Sequence, residues 1–390
     1  MPHNKKLGYD LATVSEPAAD GMDVQTNPFA KKIETSKPPS TPRETLFASV
    51  HALVPDSFWS HRAGRKEKYP SRLVGKGGEH LVFEFDDVKH RGIVHKINFL
   101  QTLPILRAHL AGEIQRKKAL EQMEEAMLER LSQLKELRQY FGASAVPMQR
   151  FLIRDVPVTR EIVDQLFPGS IKENEEIPKT LPAWGSIQHR VDLPPKTTVS
   201  LTANRYPENR IGASSKRKTT GFKGVYDASY DILVGKKVAI DPAVQRSHVL
   251  NLYPALHQIA EKVEDDPSFK AKLRETVIKL IAYSDDTKVA LDFVGENNIA
   301  LVQSQNGWEL KMPDPLPLYD YTFFDLQIAC QALKLGKPVP EDIRGAVKNA
   351  LNTVRVINAL ALLSGVTERL RVPSLETVSG IQWRREFELE

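Results

Sequence analysis

The chain has 390 residues, 41% apolar and 26% charged, an ordinary balance for a globular protein. That length exceeds one simple core and predicts two lobes. A net charge of +5 over so many residues is no footprint of a dedicated nucleic-acid binder, and a single cysteine, Cys330, excludes an internal disulfide framework and a thiolate metal site.

Residues 1–43 carry Pro, Ser, Thr and charge with little periodicity and read as an unstructured segment. Their opening holds no apolar run of signal-peptide length. With the lone cysteine, this fits a reducing interior such as the cytoplasm. From Leu46 the apolar density rises, and the next 150 or so residues, 44–195, read as an amino-terminal lobe. In the segments Leu73 to Phe85 and Gly92 to Phe99, apolar residues fall mostly on alternate positions, the period of a strand.

A helical stretch follows Pro104 and runs from Ile105 to Phe141 without a proline, its only glycine being Gly112. Leu120, Met123, Met127, Leu131, Leu134 and Leu137 recur at helical spacing, with Leu128 widening the stripe. Unbroken, it would span about 55 Å at 1.5 Å per residue, so a kink or a division into two helices is expected. Strand-like runs return at 146–153 and 184–193. Residues 196–390 form the second lobe, irregular to about 235 with a basic tract at Ser215–Lys218, then mainly helical. Helices are expected over Val249–Val263, Pro267–Tyr283, Tyr321–Leu335 and Pro340–Leu363. The most apolar run, Val354 to Val366, contains Arg355 and Asn358 and falls short of the roughly 18–20 residues of a membrane span, so it reads as buried helix.

Three groups of residues could carry chemistry. Gly75, Gly77 and Gly78 lie between two strands, where glycines let backbone N–H groups approach phosphate oxygens. No Lys-Ser or Lys-Thr follows and the next element is a strand, so this is not a Walker A loop. Lys96 lies one strand later, flanked by apolar residues, able to aim an ammonium at the glycine turn. The third group is a hairpin from Leu291 to Asp314, with its turn at Asn306-Gly307. It brings Asp292, Asn298 and Asp314 to one end, a set of hard oxygen donors suited to Mg²⁺ and to orienting a hydroxyl. The ten histidines show no paired zinc-ligand spacing.

Taken in order, these features resemble the protein-kinase-like superfamily over about residues 70–330. The resemblance implies an α+β, bilobal protein-kinase-like fold: a strand-rich N-lobe with one long helix, and a mainly helical C-lobe. It implies ATP and Mg²⁺ as cofactors and transfer of the γ-phosphoryl group to a hydroxyl acceptor that the sequence does not identify. By it, Gly75, Gly77 and Gly78 would cover the phosphates, and Lys96 would hold the α- and β-phosphates. Asp292 would be the catalytic residue, with Asn298 and Asp314 binding metal. Ser186–Arg190 would lie beside the base. Glu124, Glu125 and Glu129 are all candidates to pair with Lys96, and Glu124 is preferred for its place beside the apolar stripe. Asn297 keeps the family's spacing from Asp292, but Asn298 directly precedes the Ile299 strand and is preferred. Ala290-Leu291 replaces the usual His-Arg, Pro315 follows Asp314, and no room remains for an ordinary activation loop. Those departures motivate an alternative, a nucleotide-binding scaffold without phosphoryl transfer.

Overall fold

The computed structural model describes residues 71–76, 80–85, 92–98, 102–157, 160, 172, 175–203, 230–236, 241–316 and 322–387. Residues 1–43, Gly77, Gly78 and the Ser215–Lys218 tract lie outside them. The architecture is mixed, with two small antiparallel sheets and a helical carboxy-terminal half, as an α+β reading expects.

The alternating segments form the first sheet: β1 (Ser71–Lys76), β2 (His80–Phe85), β3 (Ile93–Asn98), β4 (Gln149–Pro157) and β5 (Thr180–His189). Its order is β1-β2-β3-β5-β4, with every pair antiparallel. The last strand in sequence is therefore inserted between β3 and β4. The chain leaves β3 through α1 (Thr102–Leu110) and α2 (Glu113–Phe141) before returning at the edge as β4. The single long stretch divides where Gly112 takes φ 115°, a conformation open to glycine and closed to most residues. Of its expected apolar stripe, Met123, Leu134 and Leu137 are buried, but Leu128 is 48% exposed.

The second sheet joins β6 (Thr198–Ser200) to the hairpin of β7 (Ala300–Ser304) and β8 (Gly307–Lys311). Ser304 pairs with Gly307, so the turn residues are Gln305 and Asn306, one position earlier than the Asn-Gly reading placed them. The helices are α3 (Pro242–Leu252), α4 (His257–Asp265), α5 (Pro267–Thr287), α6 (Phe323–Lys334), α7 (Arg344–Ser364) and α8 (Gly380–Phe387); α5 packs on β8, and α7 packs on α3, α4, α5 and α6. The expected helix over Val249–Val263 is two helices. Pro254 has no N–H to continue the ladder, and a short 3₁₀ turn, Pro254–Leu256, links α3 to α4. The Val354–Val366 run lies largely within α7, whose residues from Leu351 to Ala361 are all buried. Among the described residues, no helix is long and apolar enough to cross a membrane.

One apolar cluster unites these helices with the second sheet and the last turns of α2, from Leu134 and Leu137 to Trp383. Among the described residues none of its buried members belongs to the first sheet, though half-buried Phe151 of β4 packs against it; that sheet's own buried side chains include Phe83, Ile93, Ile97 and Trp184. Cys330 lies in the cluster, and burial pushes its thiol up to about 11, so it is protonated and chemically quiet.

On β3, His95 is fully buried, with neither ring nitrogen hydrogen-bonded. Its Nε2 would stand 2.9 Å from a Cβ at position 185, so Gly185 on β5 makes room for the ring. Burial disfavours the imidazolium and lowers the pKa to about 3. Unfolded chain takes up a proton on this residue near its ordinary value of 6.5, while folded chain refuses it until about 3. Stability is full above the unfolded value and falls as the pH drops below it, by about 2 kcal/mol near pH 5. Urea midpoints at neutral pH and near pH 5 should show that loss in wild type and a clearly smaller one in His95→Leu.

Candidate active site

Four connections hold the hairpin and the segments on either side of it. The backbone N–H of Asp292 donates to the carbonyl of Pro315 at 2.8 Å, so the segments carrying Asp292 and Asp314 run side by side. From α7, buried Thr353 donates its hydroxyl to the carbonyl of Leu291 at 2.6 Å, fixing the residue just before Asp292. The Met312 N–H donates to the Ala145 carbonyl at 2.8 Å, tying the end of β8 to the chain that follows α2.

The fourth is at the hairpin's far flank. Asp266 caps α5 by accepting from the Ser268 and Phe269 N–H groups, and it also accepts from the Trp308 indole at 2.9 Å. Trp308 meets Phe269 edge-on, with centroids 4.9 Å apart. The Ser268 hydroxyl, with the Phe269 N–H and the indole, holds the Asp266 carboxyl well below the usual carboxylate range.

The loop between Asp292 and β7 is built around the Asp292 carboxylate. Its Oδ1 accepts from the Val294 and Gly295 N–H groups at 2.8 and 3.3 Å. Its Oδ2 accepts from the Asn298 side-chain amide at 2.8 Å. Asn297 is instead the turn residue, at φ 61°, with its N–H on the Ser200 hydroxyl. Of the two asparagines, Asn298 is the one whose side chain meets the aspartate. Burial pushes the Asp292 pKa up, against the pull of the Val294 and Gly295 N–H groups; the Asp314 charge adds to the rise and Arg130 opposes it. A carboxylate whose charge is destabilised, yet fixed in orientation by three donors, is disposed to accept a proton.

Lys96, 7% exposed on β3, crosses to the other layer. Its ammonium donates to the Pro313 carbonyl at 3.1 Å and lies 3.5 Å from Asp314 Oδ2. In the sheet it pairs with Val82 and Ser186, which share its face. Arg130, 7% exposed on α2, reaches the other carboxylate oxygen: its guanidinium lies 3.6 Å from Asp314 Oδ1 and donates to the Leu316 carbonyl at 2.6 Å.

Asp292, Asn298, Asp314 and Lys96 therefore gather, as their sequence order predicted. Gly75 is in β1 next to a register shift between Leu73 and Gly75, and Gly77 and Gly78 fall outside the described residues. Glu124 is half-buried on α2, six residues before Arg130, which is about 9 Å along a helix axis. The residue of α2 that reaches Asp314 is Arg130. Sequence reasoning passed over it, although it follows Met123 by seven positions and precedes Leu134 and Leu137 by four and seven, a cation standing in the apolar register. Ser186 to His189, expected beside the base, complete β5. There Gln188 is buried on Lys96's face with its Oε1 unpartnered, and Arg190 pairs with Glu84 of β2 at 2.8 Å.

The donor set suits a hard cation. Asp314, Asp292 and the Asn298 amide offer oxygen only, and Mg²⁺ that arrives with phosphates needs just one or two protein carboxylates. Among the described residues no group of three or more His, Cys, Asp or Glu side chains could hold a metal ion unaided. Compared with protein-family models, curated proteins and solved structures, the chain matches none.

The loop's tightness rests on Gly295. A Cβ there would come within 2.3 Å of the Asn298 amide nitrogen, whereas one at Gly345 on α7 would meet nothing within 4 Å. Gly295→Ala should cost about 1–3 kcal/mol in chemical denaturation, by forcing Asn298 off Asp292. Gly345→Ala should be neutral or stabilise by up to about 1 kcal/mol.

Proposed function

We propose that this chain is an ATP- and Mg²⁺-dependent phosphotransferase of the protein-kinase-like type, moving the γ-phosphoryl group to a hydroxyl acceptor. One observation carries the reading: a lysine of the third strand, the paired Asp292 and Asn298, and Asp314 from three separate stretches of sequence meet at one place. Strand lysine, catalytic-loop Asp and Asn, and metal-site Asp are the parts that phosphoryl transfer of this type uses.

In this reading Gly75, Gly77 and Gly78 cover the phosphates and Lys96 leaves Asp314 to neutralise the α- and β-phosphates. Glu124 is the glutamate of α2 proposed to steady that lysine. Asn298 and Asp314 would hold Mg²⁺, which, when bound, offsets negative charge on the β- and γ-phosphates. Asp292 aligns the acceptor hydroxyl and takes up its proton at a carboxylate oxygen, a task for which its raised pKa fits it. Asn298 holds that carboxylate in place and Thr353 the backbone of Leu291 just before it, and catalysis is mainly positioning and charge neutralisation.

The second reading, a nucleotide-binding scaffold without transfer, is favoured by one observation: both oxygens of Asp314 face side-chain cations of the protein itself. The enzyme reading is preferred because the Asp292 carboxylate is kept buried at a cost that a scaffold has no reason to bear.

Thermal unfolding with and without Mg²⁺ and ATP tests both. At about 100 times its Kd, a nucleotide adds about 2.7 kcal/mol to the folded state. Wild type and Asp292→Asn should show a Mg²⁺-dependent rise in midpoint, and Lys96→Ala should lose it. Phosphate release or transfer from ATP should be present in wild type and absent in Asp292→Asn. A rise with no turnover in wild type would support the scaffold, and no rise at millimolar ATP would remove both.

A further inference from the structure

In a phosphotransferase site of this kind, the two cations on Asp314 have unequal freedom. Lys96 has a long, flexible stem ending in a point charge, and phosphate oxygens can draw it away. Arg130 is different. Its guanidinium is permanently charged, buried, and anchored by a 2.6 Å hydrogen bond to the Leu316 carbonyl, two residues beyond the aspartate it serves. That carbonyl belongs to the chain leaving Asp314, so Arg130 and Asp314 are tied together through the backbone as well as by charge.

Resting on the phosphotransferase reading, we infer that Arg130 permanently takes one oxygen of the Asp314 carboxylate and stands in for one of the two metal ions that kinase-type sites hold. This protein then binds a single divalent cation per nucleotide. A second ion would draw on Oδ1, and that oxygen already faces the guanidinium at 3.6 Å. A dication placed on Oδ1 would sit beside a fixed, buried positive charge, and like charges repel. Oδ2, vacated by Lys96, together with the Asn298 amide oxygen, provides for one ion. Arg130 also bears on Asp292, whose pKa it helps restrain. It is a positioning residue that supplies fixed charge where a second ion would be exchangeable.

Counting Mn²⁺ tests this without reference to turnover. The full chain, in slight excess over a non-hydrolysable ATP analogue, is titrated with Mn²⁺, and free ion is read from its paramagnetic resonance signal. Wild type should bind one ion per nucleotide, and Arg130→Met, which keeps the packing but not the charge, should bind two. Two ions on wild type would overturn the inference while leaving the nucleotide site standing, as would a single ion on a folded Arg130→Met. Should that variant fail to fold, the wild-type count decides alone. An analogue that brings no Mn²⁺ to wild type at all would overturn the phosphotransferase reading and this inference with it.

Discussion

Asp314 is reached by a lysine from the first sheet and an arginine from α2, while its own backbone continues into the segment paired with Asp292. That sharing of one carboxylate ties the first sheet and α2 to the hairpin of the carboxy-terminal half. Among the described residues the first sheet contributes no fully buried side chain to the large apolar cluster, only half-buried Phe151 packed against it. Polar contacts add to that coupling at the site. Ion pairs whose cations are this buried contribute little net stability once desolvation is counted. Their value lies in fixing geometry, since losing either cation leaves a charge without its neutraliser.

The supports beneath the site are of a different kind. Thr353 reaches up from α7, Asp266 grips Trp308 from the start of α5, and Ala145 holds Met312. All three rest in or beside the helical core, so the hairpin is rigid relative to α5 and α7. The sheet lysine, by contrast, meets the hairpin through a single flexible side chain. Such an arrangement makes the segment carrying Asp292, Asn298 and Asp314 the fixed reference, with the Lys96 ammonium free to change partners.

Much of this was legible in the sequence because it depends on local rules. Period-two alternation marked the strands around Phe83 and Lys96, and a lone glycine marked the break between α1 and α2. A turn signal put Asp292, Asn298 and Asp314 at one end of a hairpin. What local rules do not encode is which distant element lies opposite. That the helix register would bring Arg130 to Asp314 was not legible, because register depends on how the whole helix packs. Likewise the choice between Asn297 and Asn298 turned on a left-handed backbone at Asn297 that spacing alone does not reveal. The insertion of β5 between β3 and β4 is a long-range pairing of the same kind. Pro254, whose effect is local, was the one break that the sequence reading overlooked although the rule for it was available.

The central claim is that Lys96 faces the phosphates of a bound nucleotide, and chemical labelling addresses it directly. An acyl phosphate of ATP transfers its acyl group to a lysine amine held next to the phosphate chain, leaving an amide that mass spectrometry locates. Labelling concentrated on Lys96 and suppressed by excess Mg²⁺-ATP is the result the account predicts. Labelling scattered over exposed lysines, or labelling of Lys96 that ATP does not suppress, would contradict it.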